Sequence, residues 1–247
     1  YFSKLRGNLR LDCAIVGSGP SGLVCGYFLA KAGRKVAIFE RRLKPGGGIT
    51  GGAMLFNEIV FPVSLVEVLE GFGIRVSPVE GNGEIVTADS VEVASALTYQ
   101  AIHAGATLFN GICVEDVVFR NERISGIVIN WNEVIANGLH VDPLIIEAKT
   151  VLDAGGHHAE LTAKIAKKAG IKLQTKTGSI IGEKPMWVEE GEKTTIENTS
   201  CVYPGLYVSG MAANGVHGSF RMGPIFGGMI YSGQKVAELI LEELEHC

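Results

Sequence analysis

The chain has 247 residues, of which 47% are hydrophobic and 19% charged, and its formal net charge is −4. This composition excludes a disordered chain, and the weak negative charge gives no reason to expect a nucleic acid or an anionic membrane as partner. The length predicts a single domain over residues 1–247, with at most a subdomain, and the 33 glycines, roughly double the usual share, indicate close backbone approach to a ligand.

The five cysteines are widely spread and include no CxxC pair, which favours reduced thiols over a disulfide framework. We expect a cytoplasmic protein, because no secretory signal is recognisable. The uncharged run from Cys13 to Ala30 approaches the length of a membrane span, but its four glycines and Pro20 favour a soluble α/β unit instead.

A glycine-rich turn follows the first predicted strand. Leu11–Val16 is apolar, the turn GSGPSG occupies 17–22, and 23–32 has the pattern of an apolar helix closed by a glycine. A second strand, Val36–Phe39, ends at Glu40. In a β-α-β unit of this kind a pyrophosphate lies at the helix N-terminus, and the acid bonds an adenosine ribose. We therefore predict a bound adenine dinucleotide; the alternative is a glycine turn with a purely structural role.

A second glycine loop, Pro45–Gly48, is placed to wrap the ribose and phosphates, although it could also be a simple flexible loop. Further along, apolar periodicity predicts helices and strands that complete the sheet or are inserted into it, and one polar, charged stretch predicts an exposed excursion. These are a helix at Ser90–Ala104, a strand pair at Thr107–Val118, strands at Arg123–Trp131 and Thr150–Gly156, a helix at Glu160–Ala169 and an exposed polar excursion at Gly182–Thr199.

Arg221 is the one charged residue between Asn198 and Gln234, a stretch that we expect to be largely buried. A guanidinium is costly to bury alone, so it needs a partner. That partner is either a structural carboxylate, such as Glu40 or Asp142, or the carboxylate or phosphate of a ligand.

His140 and Asp142 share one face if the chain around them is extended, and His157 and His158 follow the paired glycines after a predicted strand. Imidazole and carboxylate together suit a first-row divalent metal such as iron. Taken alone, each histidine is more typical of a surface or hydrogen-bonded residue than of a metal ligand, and no contiguous metal-binding motif is present.

The scaffold resembles that of flavoproteins, in which an apolar strand ends in a Gly-Asp pair whose acid bonds the flavin. The corresponding stretch here is Leu206–Met211, and methionine stands where the acid is expected. The chain also lacks a second dinucleotide fingerprint.

Several motifs together resemble the thiamine thiazole synthase family. They are IVGSGPSGL, ERR with PGGG, NWNEV, LHVDP, the GGH that ends at His157, PGLYVSGM and FRMGPIFGGM, spread over residues 11–240. The resemblance implies a GR2-type, flavoprotein-like Rossmann fold with a parallel sheet and a small antiparallel β excursion. It also implies a transferase that consumes NAD and glycine and closes an adenylated thiazole carboxylate, the precursor of thiamine.

The resemblance also implies roles for individual residues. Arg221 would grip the glycine carboxylate, and Asp142 and His157 would bind Fe(2+) between neighbouring protomers of an octamer, with His140 as a further catalytic residue. Contacts to the dinucleotide would come from Ser18, Glu40, Arg41, Gly48, Val114, His140, Val141, Asp142 and Met211.

Two departures from the family pattern bear on the chemistry. Some relatives carry a sulfur-donating cysteine in the triplet before the aspartate, whereas Leu139 and His140 stand here, which favours a multiple-turnover enzyme that uses free sulfide. His158 stands where an aspartate is expected. Alternatives from the residues alone are an FAD-dependent oxidoreductase, a pentose-phosphate isomerase, or a non-catalytic NAD-binding module.

Overall fold

The computed structural model describes residues 2–246, apart from the side chain of Ala53. The α-helices of these residues are α1 (Phe2–Gly7), α2 (Pro20–Lys31), α3 (Val66–Gly71), α4 (Ser90–His103), α5 (Asn132–Ala136), α6 (Glu160–Ala169), α7 (Val188–Asn198), α8 (Met211–His217) and α9 (Gly227–Glu245). The strands are β1 (Arg10–Val16), β2 (Val36–Glu40), β3 (Glu58–Pro62), β4 (Ser77–Val79), β5 (Asn82–Asp89), β6 (Thr107–Asn110), β7 (Ile112–Arg120), β8 (Arg123–Trp131), β9 (Leu144–Asp153), β10 (Lys184–Met186), β11 (Ser200–Tyr203), β12 (Leu206–Val208) and β13 (Phe220–Arg221). Short 3₁₀ segments occupy Ile49–Leu55 and Val63–Leu65.

The central sheet has the order β11-β12-β9-β1-β2-β6, and its strands are parallel apart from β11. Val16 at the end of β1 is in register with Phe39 of β2 and with Asp153 of β9. The carboxyl ends of three neighbouring strands therefore meet at one edge, which is where open α/β sheets bind ligands. The predicted flavoprotein-like fold with a parallel sheet is confirmed.

Antiparallel strands extend this sheet and flank it. β8 pairs with both β7 and the first half of β9, and β3, β5 and β4 form a separate antiparallel sheet. The strand pair predicted at Thr107–Val118 exists as two strands, but they do not pair with each other, because β6 lies beside β2 and β7 beside β8.

Alternating residues of β1 divide the core between the two faces of the sheet. Cys13 and Ile15 pack in one apolar cluster, whereas Ala14 belongs to the other. Helices α2 and α9 cover the first face in close contact, since a Cβ atom on Gly233 of α9 would lie 2.7 Å from the carbonyl oxygen of Ser21. Helix α9 thus supports the helix that begins at the glycine turn.

The expected exposed excursion at Gly182–Thr199 is present only at residues 182–187, most of which are exposed, because Val188–Asn198 forms the helix α7 with a buried face. The helix buries Gly191, Thr194 and Thr195, and the Thr195 hydroxyl accepts a hydrogen bond from Asn214 of α8 at 2.8 Å. Its buried face is made of small polar residues, so it carries no apolar periodicity for sequence analysis to detect.

Within 2–246, no helix is both long enough and apolar enough to cross a membrane. Cys13, Cys25, Cys113 and Cys201 are free thiols, as predicted, while Cys247 lies outside the described residues.

Candidate functional site

Two glycines shape the turn between β1 and α2, because the neighbouring backbone leaves no room for a side chain at either position. Gly17 has a φ of +102°, and a Cβ atom there would lie 2.5 Å from the carbonyl oxygen of Ala154. A Cβ atom on Gly22 would lie 2.3 Å from the carbonyl oxygen of Gly17. Any larger side chain at either position would push the helix away from the strand ends.

Two other glycines have open space where a side chain would be. A Cβ atom on Gly19 or on Gly48 would meet no protein atom within 4 Å among the described residues. The two glycine loops are themselves in contact, since a Cβ atom on Gly47 would lie 2.9 Å from Cα of Gly19 and the amide of Gly46 donates to Ser18. Bare backbone therefore faces the cavity from both loops, as close approach of a pyrophosphate requires.

Glu40 links the end of β2 to the glycine turn. Its Oε2 accepts hydrogen bonds from the amide and the hydroxyl of Ser18 at 3.0 and 2.6 Å, and its Oε1 accepts from the amide of Arg42 at 2.9 Å. The side chain is buried, at 7% exposure. A carboxylate has about four acceptor positions, so these three bonds leave room for one ribose hydroxyl.

These groups surround a cavity of about 380 Å³ at the carboxyl edge of the sheet. That size falls in the range of small-molecule sites. Its wall includes Ser18, Glu40, Arg41, Gly48, Val114, His157 and Met211, which are seven of the predicted site residues. His158 also lines it.

Asp153 lies at the end of β9 on the cavity wall and is fully buried. Its Oδ2 accepts from the amide and hydroxyl of Thr162 in the first turn of α6, at 2.9 and 2.7 Å, and its Oδ1 accepts from the amide of Gly155 at 3.0 Å. Burial raises the pKa of this carboxyl, and the three hydrogen bonds oppose that rise. Asp153 thereby fixes the turn that carries His157.

Charged side chains line the rim of the cavity. Arg41 Nη1 contacts both carboxylate oxygens of Glu160 at 3.1 Å, and both side chains are about half exposed. His157 Nδ1 lies 2.7 Å from Glu183 Oε1, which leaves its Nε2 atom free of this contact. Arg41 and His157 can therefore both reach a molecule in the cavity.

Cys113 and Met211 supply less polar parts of the wall. Met211 begins α8, lines the cavity and is buried at 4% exposure. Cys113 lies beside Val114 on β7, and burial raises the pKa of its thiol. It is the cysteine that lines this cavity among those of the described residues.

The segment 139–143 lies outside the cavity wall and is exposed. It holds His140, Val141 and Asp142, and its backbone is held by Asn130, whose amide donates to the carbonyl of Val141 at 3.0 Å. Asp142 immediately precedes Pro143 and the start of β9, while His157 follows the end of that strand. The two predicted metal ligands of one chain thus come from opposite ends of β9.

Arg221 lies on the two-residue strand β13 and is exposed, so the expectation that its guanidinium is buried within the chain is wrong. The stretch around it is mostly buried, but the edge strand turns this side chain outwards. Glu40, one of the structural partners considered for it, is bonded to Ser18 and Arg42 instead.

The described residues of one chain contain no group of three or more His, Cys, Asp or Glu side chains that could hold a metal ion. A metal bound through His157 would therefore need donors from a substrate or from a second chain.

Sequence reasoning assigned no function to Asp153, Asn130 or Glu183. The first ends an apolar strand just before paired glycines, which is a signal that could have identified it. Glu183 gives no such signal, because its contact with His157 joins segments 26 residues apart.

The parallel sheet, the glycine turn and the acid that ends β2 define a protein with a flavoprotein-like Rossmann fold. The chain belongs to the Thi4 family, whose model matches residues 1–226.

Known relatives are similar over almost their whole length. Proteins named thiamine thiazole synthase from Thermococcus kodakarensis and Pyrococcus furiosus are 54% and 53% identical to this chain, over 99% of it and 94% of their own sequences. The crystal structure of THI4 from Thermovibrio ammonificans matches with a TM-score of 0.95 at 52% identity, covering 99% of this chain and 94% of that one.

Proposed function

We propose that this chain synthesises the ADP-thiazole precursor of thiamine from NAD, glycine and free sulfide, in a reaction that depends on iron and runs for many turnovers. Membership of the Thi4 family and the shared name of its relatives support thiazole synthesis. The substrates, the sulfur source and the iron are what the resemblance to the family implies, and residues of this chain support them.

The observation that carries the proposal is the cavity built from two touching glycine loops and the carboxylate of Glu40. Gly19 and Gly48 leave the space in which a diphosphate can contact backbone amides, and Glu40 keeps one acceptor for a ribose hydroxyl. These features suit an adenine dinucleotide. NAD enters as a substrate, because its ADP-ribose part supplies carbon to the product.

The cysteines support an external sulfur source. His140 and Leu139 stand in the triplet before Asp142, where a donor cysteine would be placed. Cys13 and Cys25 are fully buried with thiol pKa values raised by burial, and Cys113 lies on β7. A buried thiol resists ionisation, so Cys13 and Cys25 are poor sulfur donors. Cys113 is partly accessible on the cavity wall, so its part is tested by substitution.

Asp142 and His157 suit a divalent iron by the chemistry of their donor atoms. His157 presents a ring nitrogen that its contact with Glu183 does not use, and the Asp142 carboxylate is exposed. Ferrous iron at such a site would stabilise negative charge that develops beside a carbonyl. The chain's part is to hold the dinucleotide next to His157 and to bind glycine through Arg221.

A second protomer would complete this site. Residues 139–142 and Arg221 are exposed in the single chain, and so are Trp131, Met186 and Trp187. Large exposed apolar side chains indicate protein contacts. We propose an oligomer, an octamer by resemblance to the family, in which Asp142 of one protomer joins His157 of its neighbour.

The test is anaerobic incubation with NAD, glycine, sulfide and ferrous iron, followed by mass spectrometry of products and protein. We expect more than one ADP-thiazole per protomer with unchanged protein mass, and the same result from a Cys113→Ser variant. Loss of H₂S from the protein would contradict the external sulfur source. NAD that binds without release of nicotinamide would contradict the enzyme itself.

A further inference from the structure

We propose that Glu183 is a positioning residue that fixes the ring orientation and tautomer of His157, so that Nε2 is the atom offered to a divalent cation. The inference deepens the proposed function and rests on it for the identity of the cation. The contact between Glu183 and His157 is formed within the chain and does not depend on a bound cation.

The contact between the two side chains is short, and the glutamate is the more buried of the two. His157 Nδ1 lies 2.7 Å from Glu183 Oε1, and the glutamate side chain is 18% exposed against 43% for the imidazole. An ionised carboxylate can only accept a hydrogen bond, so the ring proton must be on Nδ1. In the neutral ring this leaves the lone pair on Nε2, the form that binds metals.

The backbone around Glu183 is held on both sides. The amide of Gly182 donates to the carbonyl of Gly215 in α8 at 3.0 Å, and the amide of Lys184 donates to the carbonyl of Ser219 at 2.9 Å. Glu183 is therefore anchored to α8 and to the loop after it, rather than carried on a free segment.

The turn that carries His157 packs against the same helix. A Cβ atom on Gly215 would lie 2.9 Å from the carbonyl oxygen of His157, so a larger residue there would displace the turn. Helix α8 thus positions both partners, and it begins at Met211 on the cavity wall. The orientation of the imidazole is set relative to the cavity by one rigid element.

A carboxylate on the second ring nitrogen is the usual companion of a metal-binding histidine. It orients the ring and raises the basicity of the ligating nitrogen, and its removal typically weakens metal binding roughly 10- to 100-fold. A purely structural contact, which only ties segment 181–186 to the turn, would have no such effect on a cation.

The first experiment reads the tautomer in metal-free protein. Solid-state ¹⁵N NMR of histidine-labelled protein, at a pH where the ring is neutral, should show the proton of His157 on Nδ1, with the signal assigned by its loss in His157→Ala. Glu183→Ala should move the proton partly or wholly to Nε2, whereas Glu183→Gln should keep it on Nδ1 because the amide oxygen still accepts.

The second experiment measures ferrous iron affinity by anaerobic titration. We expect Glu183→Ala to bind iron about 10- to 100-fold more weakly than the wild type, with Glu183→Gln in between. Glu189→Ala, which removes an exposed glutamate from the first turn of α7, should bind iron as the wild type does. Urea midpoints recorded for each variant identify any that has lost its fold.

The outcomes separate this inference from the proposed function. A wild-type His157 with its proton on Nε2, or an unchanged tautomer and iron affinity in Glu183→Ala, would overturn the positioning role. A wild type that shows the expected tautomer but binds no iron would leave the Glu183–His157 arrangement supported and reject the iron-dependent reaction.

Discussion

Gly47 packs directly on Gly19, since a Cβ atom on the former would lie 2.9 Å from Cα of the latter. The loop after β2 and the turn after β1 therefore form one continuous wall of backbone.

Because of this wall, substitutions at two glycines of the same turn should have different effects. Gly19→Ala places its methyl group in open space at an ordinary φ of −69°, so the fold should persist while dinucleotide affinity falls tenfold or more. Gly22→Ala places its methyl group 2.3 Å from the carbonyl oxygen of Gly17 and should cost about 1–3 kcal/mol in unfolding free energy. Calorimetric titration with NAD and urea unfolding check both, and unchanged NAD binding by Gly19→Ala would refute a diphosphate at this position.

Glu40→Ala should weaken both the fold and the binding of NAD. The change removes the acceptor of the buried Ser18 amide, which costs about 1–3 kcal/mol when no other acceptor replaces it. It also removes the group proposed to bond the ribose. Glu80→Ala, at an exposed glutamate in the turn between β4 and β5, is the matched control for urea midpoints and NAD titrations. Full NAD affinity in a folded Glu40→Ala would place the ribose elsewhere.

Glu192 should make stability fall as pH rises through neutrality. Its Oε1 accepts from the amide of Gly228 at 2.5 Å, whereas Oε2 is buried with no hydrogen-bond partner among the described residues, and burial raises the pKa of the carboxyl from 4.5 to about 7. The folded protein then holds a proton that the unfolded chain releases, so the stabilisation is full below about pH 4.5 and lost as pH rises through 7.

Glu192→Gln should remove this pH dependence. Relative to the variant, the wild type should lose on the order of 2–3 kcal/mol between pH 4.5 and 8. Urea unfolding at fixed protein concentration measures the difference, with Glu189→Gln as an exposed control on the same helix. If the difference in unfolding free energy between wild type and Glu192→Gln does not change with pH, this carboxyl keeps its charge in the folded protein.

The alkylation rate of Cys113 should report whether NAD occupies the cavity. Its thiol lines the wall and is partly accessible, whereas Cys201 lies outside that wall and its thiol donates to the carbonyl of Tyr203 at 3.2 Å. In a Cys247→Ser background, saturating NAD should slow alkylation of Cys113 at least tenfold and leave that of Cys201 unchanged. Peptide mass spectrometry follows both sites, and equal rates for Cys113 with and without NAD would place the dinucleotide away from β7.

Arg221→Ala should raise the KM for glycine about 10- to 100-fold while NAD affinity stays within twofold. The expected size is that of a charge-assisted hydrogen-bonded pair, about 1.5–3 kcal/mol. Arg75→Ala is the control, because it removes another exposed guanidinium that is bonded to Glu92. Parallel loss of glycine use and NAD binding would contradict a role confined to the glycine carboxylate.

Local patterns were sufficient for the elements that bind the proposed dinucleotide. The turn at 17–22, the acid at Glu40 and the helix Glu160–Ala169 follow from spacing and periodicity within about 30 residues, and the structure contains them as predicted.

Contacts between segments that are distant in the sequence could not be predicted from local patterns. The pairing of β6 with β2, the helix α7 with its small polar face and the bond between Glu183 and His157 depend on neighbours brought together by folding. The exposure of Arg221 has the same origin, because its edge position is a property of the assembled sheet rather than of its own sequence.

The dependence of α2 on α9 has a consequence for synthesis of the protein. The strands and the turn proposed to hold a diphosphate lie within residues 10–40, but the helix packed behind them ends at Glu245. A nascent chain therefore lacks that support until α9 has emerged from the ribosome, so ligand-induced protection from proteases should first appear once residues 227–245 are exposed.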